Sequence, residues 1–401
     1  MSESCAEKSK TIDIESRFYR YLIDMKYALR EVDFDDGVNI GDDTETTKDA
    51  KPKAQAERIL LEVEERRLRK VKMQQVAESK TIEAMANSLR PHVIEHVKAK
   101  IQEQDHVIKH LLRLPANFLD LIDMLYSPTS TYSRVASIVK LNNIHDRNLI
   151  NMVNRSDFQV QIGKPVSQRI RDTQIAISLL GVAGTKALLP VMMLKQTVKL
   201  RNEYFPLLGF KLWKMMLSNG LATHHILSQK GYNDPVEGLL AGMIYNLGKV
   251  SIYHQFIASF DEVKKSFLVN FRKENKKLQH DYLLKVEPDP SILFELMQQL
   301  AQKHSLEVVQ WLEMQRQRPK GMGASLEQAL SICKIDQCDP LARAIRQGNA
   351  YSQLEQLRHA KLVGKENIAP FLDSVGISKD GMAALLRRNL TRLELRQFVE
   401  S

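Results

Sequence analysis

From residue 106 to residue 310 the chain repeats one pattern: apolar residues at helical spacing, a short break, then another helical stretch. The breaks fall at Pro115, Ser127-Pro128, residues 163–165, Gly181, Pro206, residues 231–235 and Pro288-Asp289-Pro290. Proline lacks the amide donor that a helix interior needs, and glycine adds backbone freedom, so both punctuate helices. No stretch alternates apolar and polar residues for long enough to make a strand. Helices that each carry an apolar stripe bury it against one another, which predicts an all-α bundle. Only 17 glycines and 13 prolines in 401 residues favour the same reading.

The flanks read as helices of a different kind. Residues 12–30 place Ile14, Phe18, Tyr21, Leu22, Met25 and Leu29 at helical spacing, and "EVDFDDGVNIGDDTETTKDAKPK" then reads as a flexible acidic linker. Ala54 to Leu89 has no glycine or proline, and Glu62–Arg66 and Glu65–Arg69 stand in the favourable i, i+4 order. Its apolar residues (Ile59, Leu60, Val63, Val71) are too sparse for a sustained a/d seam. A long charged helix is expected, with a coiled coil as the alternative; Pro91 should break or kink it before a second helix that reaches about Gln104. After Trp311, "RQRPKGMGAS" reads as a loop, and the last ninety or so residues as short helices with breaks at Asp339-Pro340, Gly364, Pro370 and Gly376. The closing "AALLRRNLTRLELRQFV" is amphipathic, and packing onto its own domain is favoured over a partner helix or a membrane surface. The expected organisation is 1–53, short helix and linker; 54–105, long charged helix; 106–310, the main helical domain; and 311–401, a helical C-terminal region.

Bulk properties exclude several classes. The net charge of +10 permits attraction to nucleic acid, acidic proteins or anionic membrane, but charge spread along helices ordinarily makes a solvated surface. Cys5, Cys333 and Cys338 make no disulfide framework and no zinc cage, which points to a reducing compartment. The N-terminus is polar, and the most apolar region, Leu179 to Leu194, holds Gly181, Gly184, Lys186 and Pro190; no membrane span and a cytoplasmic location are expected. In Asp261–Lys285, basic residues interleave with Phe267, Phe271 and Tyr282. Such a stretch admits nucleic-acid binding, but the aromatics share helical spacing with Leu268 and Leu278 and should face the core.

Motifs of known chemistry are sparse. "GVAGTK" (Gly181–Lys186) lacks the spacing of a phosphate cradle, "GMG" (Gly321–Gly323) is weaker still, both read better as helix breaks, and no GxSxG elbow is present. His92 and His96 share a helix face without a correctly placed general base, and the adjacent His224 and His225 diverge by about 100° on a helix. Asp234 before Pro235 reads as a helix N-cap.

One segment raises a sharper question. In "GLLAGMIYNLGKV" (Gly238–Val250), Leu240, Met243, Ile244, Leu247 and Val250 form an apolar helix face that brackets Tyr245 and Asn246. A His-Asp pair so placed would hold divalent metal for phosphoester hydrolysis. With "LLRLPANFLDLIDML" (Leu111–Leu125), "VASIVKLNNIHDRNLINMVNRSDF" (Val135–Phe158), "AISLLG" (Ala176–Gly181) and Leu212-Trp213 in the same order, the sequence resembles the HDOD family, the HD-related output domains of bacterial signalling proteins. That resemblance places Tyr245 at the family's His position, Asn246 at its Asp position and Met215 at a further His position, and matches Asn154 and Lys249 to family positions. A neutral phenol, an amide and a thioether are poor ligands for hard cations.

The resemblance therefore implies an all-α HDOD bundle that is not an enzyme and holds no metal or cofactor, acting as a regulatory module on a signalling-protein partner. Self-association through residues 54–104 is a further expectation. Asn154, Met215, Tyr245, Asn246 and Lys249 should line a vestigial pocket, with Asn154 also suited to bonding a neighbouring backbone, while Trp213, Met243, Ile244 and Leu247 should be core. The alternatives are a rearranged phosphohydrolase using His224, His225, His254, Asp234 or Glu237, and a nucleic-acid or nucleotide binder, which is not favoured.

Overall fold

A computed structural model describes residues 14–28, 62–127, 129–161, 163, 169–199, 201–316, 321–331 and 334–399. Helices and their connections account for these residues, and no strand occurs among them. The whole acidic linker, residues 54–61 of the expected charged helix, and Cys5 and Cys333 lie outside the described residues.

Helix α1 (14–23) buries Ile14, Phe18 and Leu22, one residue per turn of a single face. Helix α2 (Glu62–Lys100) is continuous, and Pro91 sits inside it instead of breaking it. Packing offsets the lost hydrogen bond: Leu89, Val93 and Val97 form a buried stripe, and Arg90 reaches Glu295 at 2.6 Å and Ser291 at 2.9 Å. Before that docked half, Val71, Met73 and Val76 stand in solvent.

A π turn (Val107–Leu111) leads to α3 (Phe118–Leu125), α4 (Tyr132–Lys140) and α5 (Asn143–Val153). Helix α6 (Thr173–Lys195) is broken at Gly181, whose φ of 71° belongs to the left-handed region that glycine tolerates. Gly184 and Lys186 lie in its second half, and Lys186 pairs with Asp234 at 2.6 Å. Asp234 thus serves an ion pair and makes no side-chain cap; Pro235 is the residue that starts the next helix. By length and composition α6 is apolar enough to cross a bilayer, and 56% of its most apolar window is buried inside the bundle.

The centre is built by α7 (Leu208–Gln229), α8 (Val236–Ile244), α9 (Leu247–Lys273), α10 (Lys277–Leu284), α11 (Pro290–Met314), α12 (Gly321–Leu330) and α13 (Pro340–His359). Gly321–Gly323 opens α12 and is helical, not loop. Helix α13 lies close against α7: a Cβ on Gly348 would sit 2.6 Å from Asn219 Oδ1. Asn219 in turn donates to the Gly242 carbonyl at 2.8 Å, so α7, α8 and α13 are tied at one point.

Helices α14 (Lys365–Ser374) and α15 (Lys379–Leu386) and a final turn (Arg396–Val399) complete the chain. The closing segment packs onto the bundle through Leu395 and Phe398. Met243, Ile244 and Leu247 are core, whereas Trp213 is only half-buried. Phe267 and Phe271 pack edge to face, but Leu278 is 64% exposed, because α10 covers the bundle through Leu283 instead.

Candidate functional site

The Tyr245-Asn246 segment is a junction between two helices, where sequence periodicity suggests one. Helix α8 ends at Ile244, and Asn246, with φ −103° and ψ 3°, starts α9. That bridge conformation turns the chain while its side chain stays inside. Asn246 is fully buried, its amide nitrogen is 3.4 Å from the Gly242 carbonyl, and its Oδ1 accepts from Lys249 Nζ at 2.7 Å. One helical turn brings Lys249 above Asn246. The same ammonium lies 5.2 Å from the centre of the Tyr245 ring.

Electrostatics follow from this enclosure. Lys249 is only 4% exposed, and burial pushes its pKa down to about 8, against the opposing pull of Glu15. Burial, then Glu15, raises the Tyr245 phenol, so it is neutral at ordinary pH. An unfolded lysine titrates near 10.4, so between about pH 8 and 10.4 the unfolded chain holds the extra proton and stability rises with pH. Below about pH 8 the penalty is present in full. Native chain compared with Lys249→Met in urea should show a stability difference that shifts by on the order of 2 kcal/mol in favour of the native chain between pH 7.5 and 10. The comparison is needed because buried Lys211, also near 8, contributes with the same sign.

Tyr245 and Lys249 face a cavity of about 190 Å³. Its polar walls come from Glu15 and Tyr19 of α1, Gln302 and Ser305 of α11, and Arg346, Asn349 and Gln353 of α13, and Leu330, Phe371 and Val375 add apolar lining. Tyr19 donates to Glu15 Oε1 at 3.0 Å, which fixes the carboxylate at the mouth. These residues are far apart in sequence, so spacing gives no sign that they meet. The one local signal is in α13, where Gln347, Gln353, Glu355 and Gln356 are buried and leave the helix no clear polar face.

The remaining expected pocket residues are elsewhere. Met215 is buried in α7 and does not line this cavity. Asn154 clamps backbone: Nδ2 donates to the Ile150 and Ile170 carbonyls at 2.7 and 2.8 Å, and Oδ1 accepts from Ile170 N–H at 2.8 Å. It holds the segment that leads into α6. Asn154→Ala takes this partner from the Ile170 N–H and carbonyl, while the Ile150 carbonyl keeps the Asn154 N–H, and should cost about 1–3 kcal/mol in urea unfolding.

The histidines of the rearranged-hydrolase alternative do not converge. His254 Nδ1 lies 2.9 Å from the Leu111 carbonyl, Nε2 accepts from Lys199 N–H at 3.3 Å, and burial pushes its pKa down to about 4. His224 packs 4.6 Å from Phe398 and is likewise pushed down to about 4 by burial. His96 bonds Ser259 at 2.9 Å and Glu262 at 3.3 Å, and His92 packs on Phe267. Among the described residues no three His, Cys, Asp or Glu side chains gather as a metal site would require.

Residues 111–280 match the family model of the HDOD domain. No curated protein sequence matches the chain. Two solved structures resemble it. One, from Shewanella amazonensis SB2B, is described as a candidate metal-dependent phosphohydrolase; it is 15% identical, with 78% of this chain and 98% of that chain covered and a TM-score of 0.45. The other is an HDOD domain protein with unknown function from Geobacter sulfurreducens, 15% identical over 77% of this chain and 98% of that chain, with a TM-score of 0.41. Residues 111–280 therefore carry an HDOD domain.

Proposed function

We propose that this chain is a non-catalytic HDOD regulatory module that works through contacts with other proteins. The observation that carries the reading is the Lys249 ammonium 2.7 Å from Asn246 Oδ1, buried at the helix junction. A divalent ion on residue 246 would sit beside a fixed positive charge in a medium of low dielectric, and repulsion there is far stronger than in water. The neighbouring donors, a neutral phenol and an amide, supply no charge to offset it. The bundle keeps its shape without the ligand set, which suits a docking role. The solvent-facing half of α2, with Met73 75% exposed, is the surface assigned to a partner protein or a second copy.

The test is turnover. Purified full-length chain, supplied with manganese or magnesium, should hydrolyse bis(p-nitrophenyl) phosphate no faster than the same chain carrying Asn246→Ala. Metal-dependent turnover that Asn246→Ala abolishes would refute the reading.

A further inference from the structure

Where the end of α4 meets the starts of α5 and α6, the surface is apolar. Leu141, in the turn between α4 and α5, is 74% exposed. Ile144, in the first turn of α5, is 63% exposed, and Ile175, in the first turn of α6, 58%. Two contacts bring them to one corner. Lys140 pairs with Asp172 at 3.1 Å, joining the end of α4 to the start of α6, and Thr173 donates to Asp146, joining the starts of α5 and α6. The corner is also held firmly. Asn142 Oδ1 accepts from Ile144 N–H at 3.0 Å, and Asp172 Oδ1 from Gln174 N–H at 2.8 Å, so both helices are capped where they begin. Single surface aliphatics are ordinary, but three on one corner make a patch that marks an interaction site.

Charge narrows the partner. Between residues 131 and 180 the only acidic residues are Asp146, Asp157 and Asp172, against seven lysines and arginines. Each carboxylate is engaged: Asp146 by Thr173, Asp157 by Arg155 at 2.9 Å, and Asp172 by Lys140. Arg147 lies one turn beyond Ile144 on the same face of α5, and Arg171 just precedes α6; both are exposed. Neither guanidinium has an ion pair or hydrogen bond among the described residues. The rim therefore complements an anionic surface.

The apolar side chains decide which surface. Nucleic acid would leave three aliphatics facing charged backbone. Protein partners anchor on aromatic side chains and in pockets. The three exposed side chains here are aliphatic, and none of them lines the cavity of about 590 Å³ between α4 and α6. Aliphatic tips that project between arginines suit a lipid interface, where the tips enter the acyl boundary and the guanidinium forks take lipid phosphates.

We infer that this corner docks the protein on an anionic lipid surface, with Leu141, Ile144 and Ile175 in the headgroup boundary and Arg147 and Arg171 on lipid phosphates. The contact is peripheral and reversible, because three aliphatics and two charges must act together to hold it.

Flotation of the full chain with vesicles tests this, using phosphatidylcholine alone and phosphatidylcholine with about 30% phosphatidylglycerol. The anionic vesicles should bind the chain about tenfold or more above the neutral ones, and rising salt should weaken the binding. Leu141→Ser combined with Ile144→Ser should lower binding about tenfold or more. Arg147→Gln combined with Arg171→Gln should do the same. Both pairs change exposed side chains, so Tm should hold within a few degrees. Ile175→Ser, on a different helix, repeats the test if the first pair fails to fold. Met314→Ser, at a 73% exposed apolar residue elsewhere, is the control and should bind within about twofold of the native chain. No binding to anionic vesicles overturns the assignment, as it would if the corner served an acidic protein instead. Full binding by the Leu141→Ser, Ile144→Ser chain overturns it too, because attraction by the net charge of +10 would then account for the binding. Neither outcome bears on the turnover test of the non-catalytic reading.

Discussion

Gly248→Ala should destabilise the protein by about 2 kcal/mol and lower Tm by several degrees. Helix propensity argues the other way, since alanine is better than glycine in a helix interior by about 1 kcal/mol. Space decides the sign. A Cβ at Gly248 would lie 2.6 Å from Ser305 Cα and closer still to Ser305 N and Oγ. The obstacles are mainly backbone, so α9 and α11 must move apart, and overpacking of that kind costs about 1–3 kcal/mol or more. Gly321→Ala is the control: nothing lies within 4 Å of its added Cβ, and stability should hold within about 0.5 kcal/mol. Chemical denaturation of both variants checks the pair. A Gly248→Ala protein as stable as the native chain would mean that the crossing is looser than described. The glycine that precedes Lys249 is thus explained by helix contact, with no appeal to catalysis.

Ending the chain after Leu330 should abolish cooperative unfolding. The matched HDOD segment stops at residue 280, which makes the C-terminal third look dispensable. Yet α13 buries Leu341, Ile345, Tyr351, Leu354 and Leu357. Each such side chain contributes about 1.5–3 kcal/mol, so their summed loss rivals the entire net stability of about 5–15 kcal/mol. Truncation also strips Lys214 of Glu355 at 3.5 Å and Thr223 of the Ala344 carbonyl at 3.4 Å. Near-ultraviolet circular dichroism and a thermal melt should report lost tertiary packing with helix retained in part. A cooperative melt within a few degrees of full length would show that the bundle is complete without α13.

Sequence periodicity sufficed for the helical class because helices announce themselves locally, through breaks and apolar spacing. It was less able to place ends that tertiary contacts decide. Pro91 looked like a terminus because its effect is local, while the Leu89, Val93 and Val97 stripe that carries the helix past it acts through distant partners. The Tyr245-Asn246 segment kept its apolar spacing across a helix junction, so pattern alone joined two helices into one. The cavity could not be read at all, since Glu15, Lys249, Ser305 and Gln353 meet only through packing. Asn154 and Met215 were grouped with Tyr245 by resemblance; the fold puts the first on a backbone clamp and the second in the core.

Metal content tests the central claim most directly. The chain, purified without chelator, is analysed for divalent metals and then titrated calorimetrically with manganese. The account predicts less than about a tenth of an equivalent of any divalent metal, and no saturable manganese binding up to millimolar concentration, because Lys249 already lies against Asn246. One or two equivalents of tightly held metal, lost in Asn246→Ala, would contradict it.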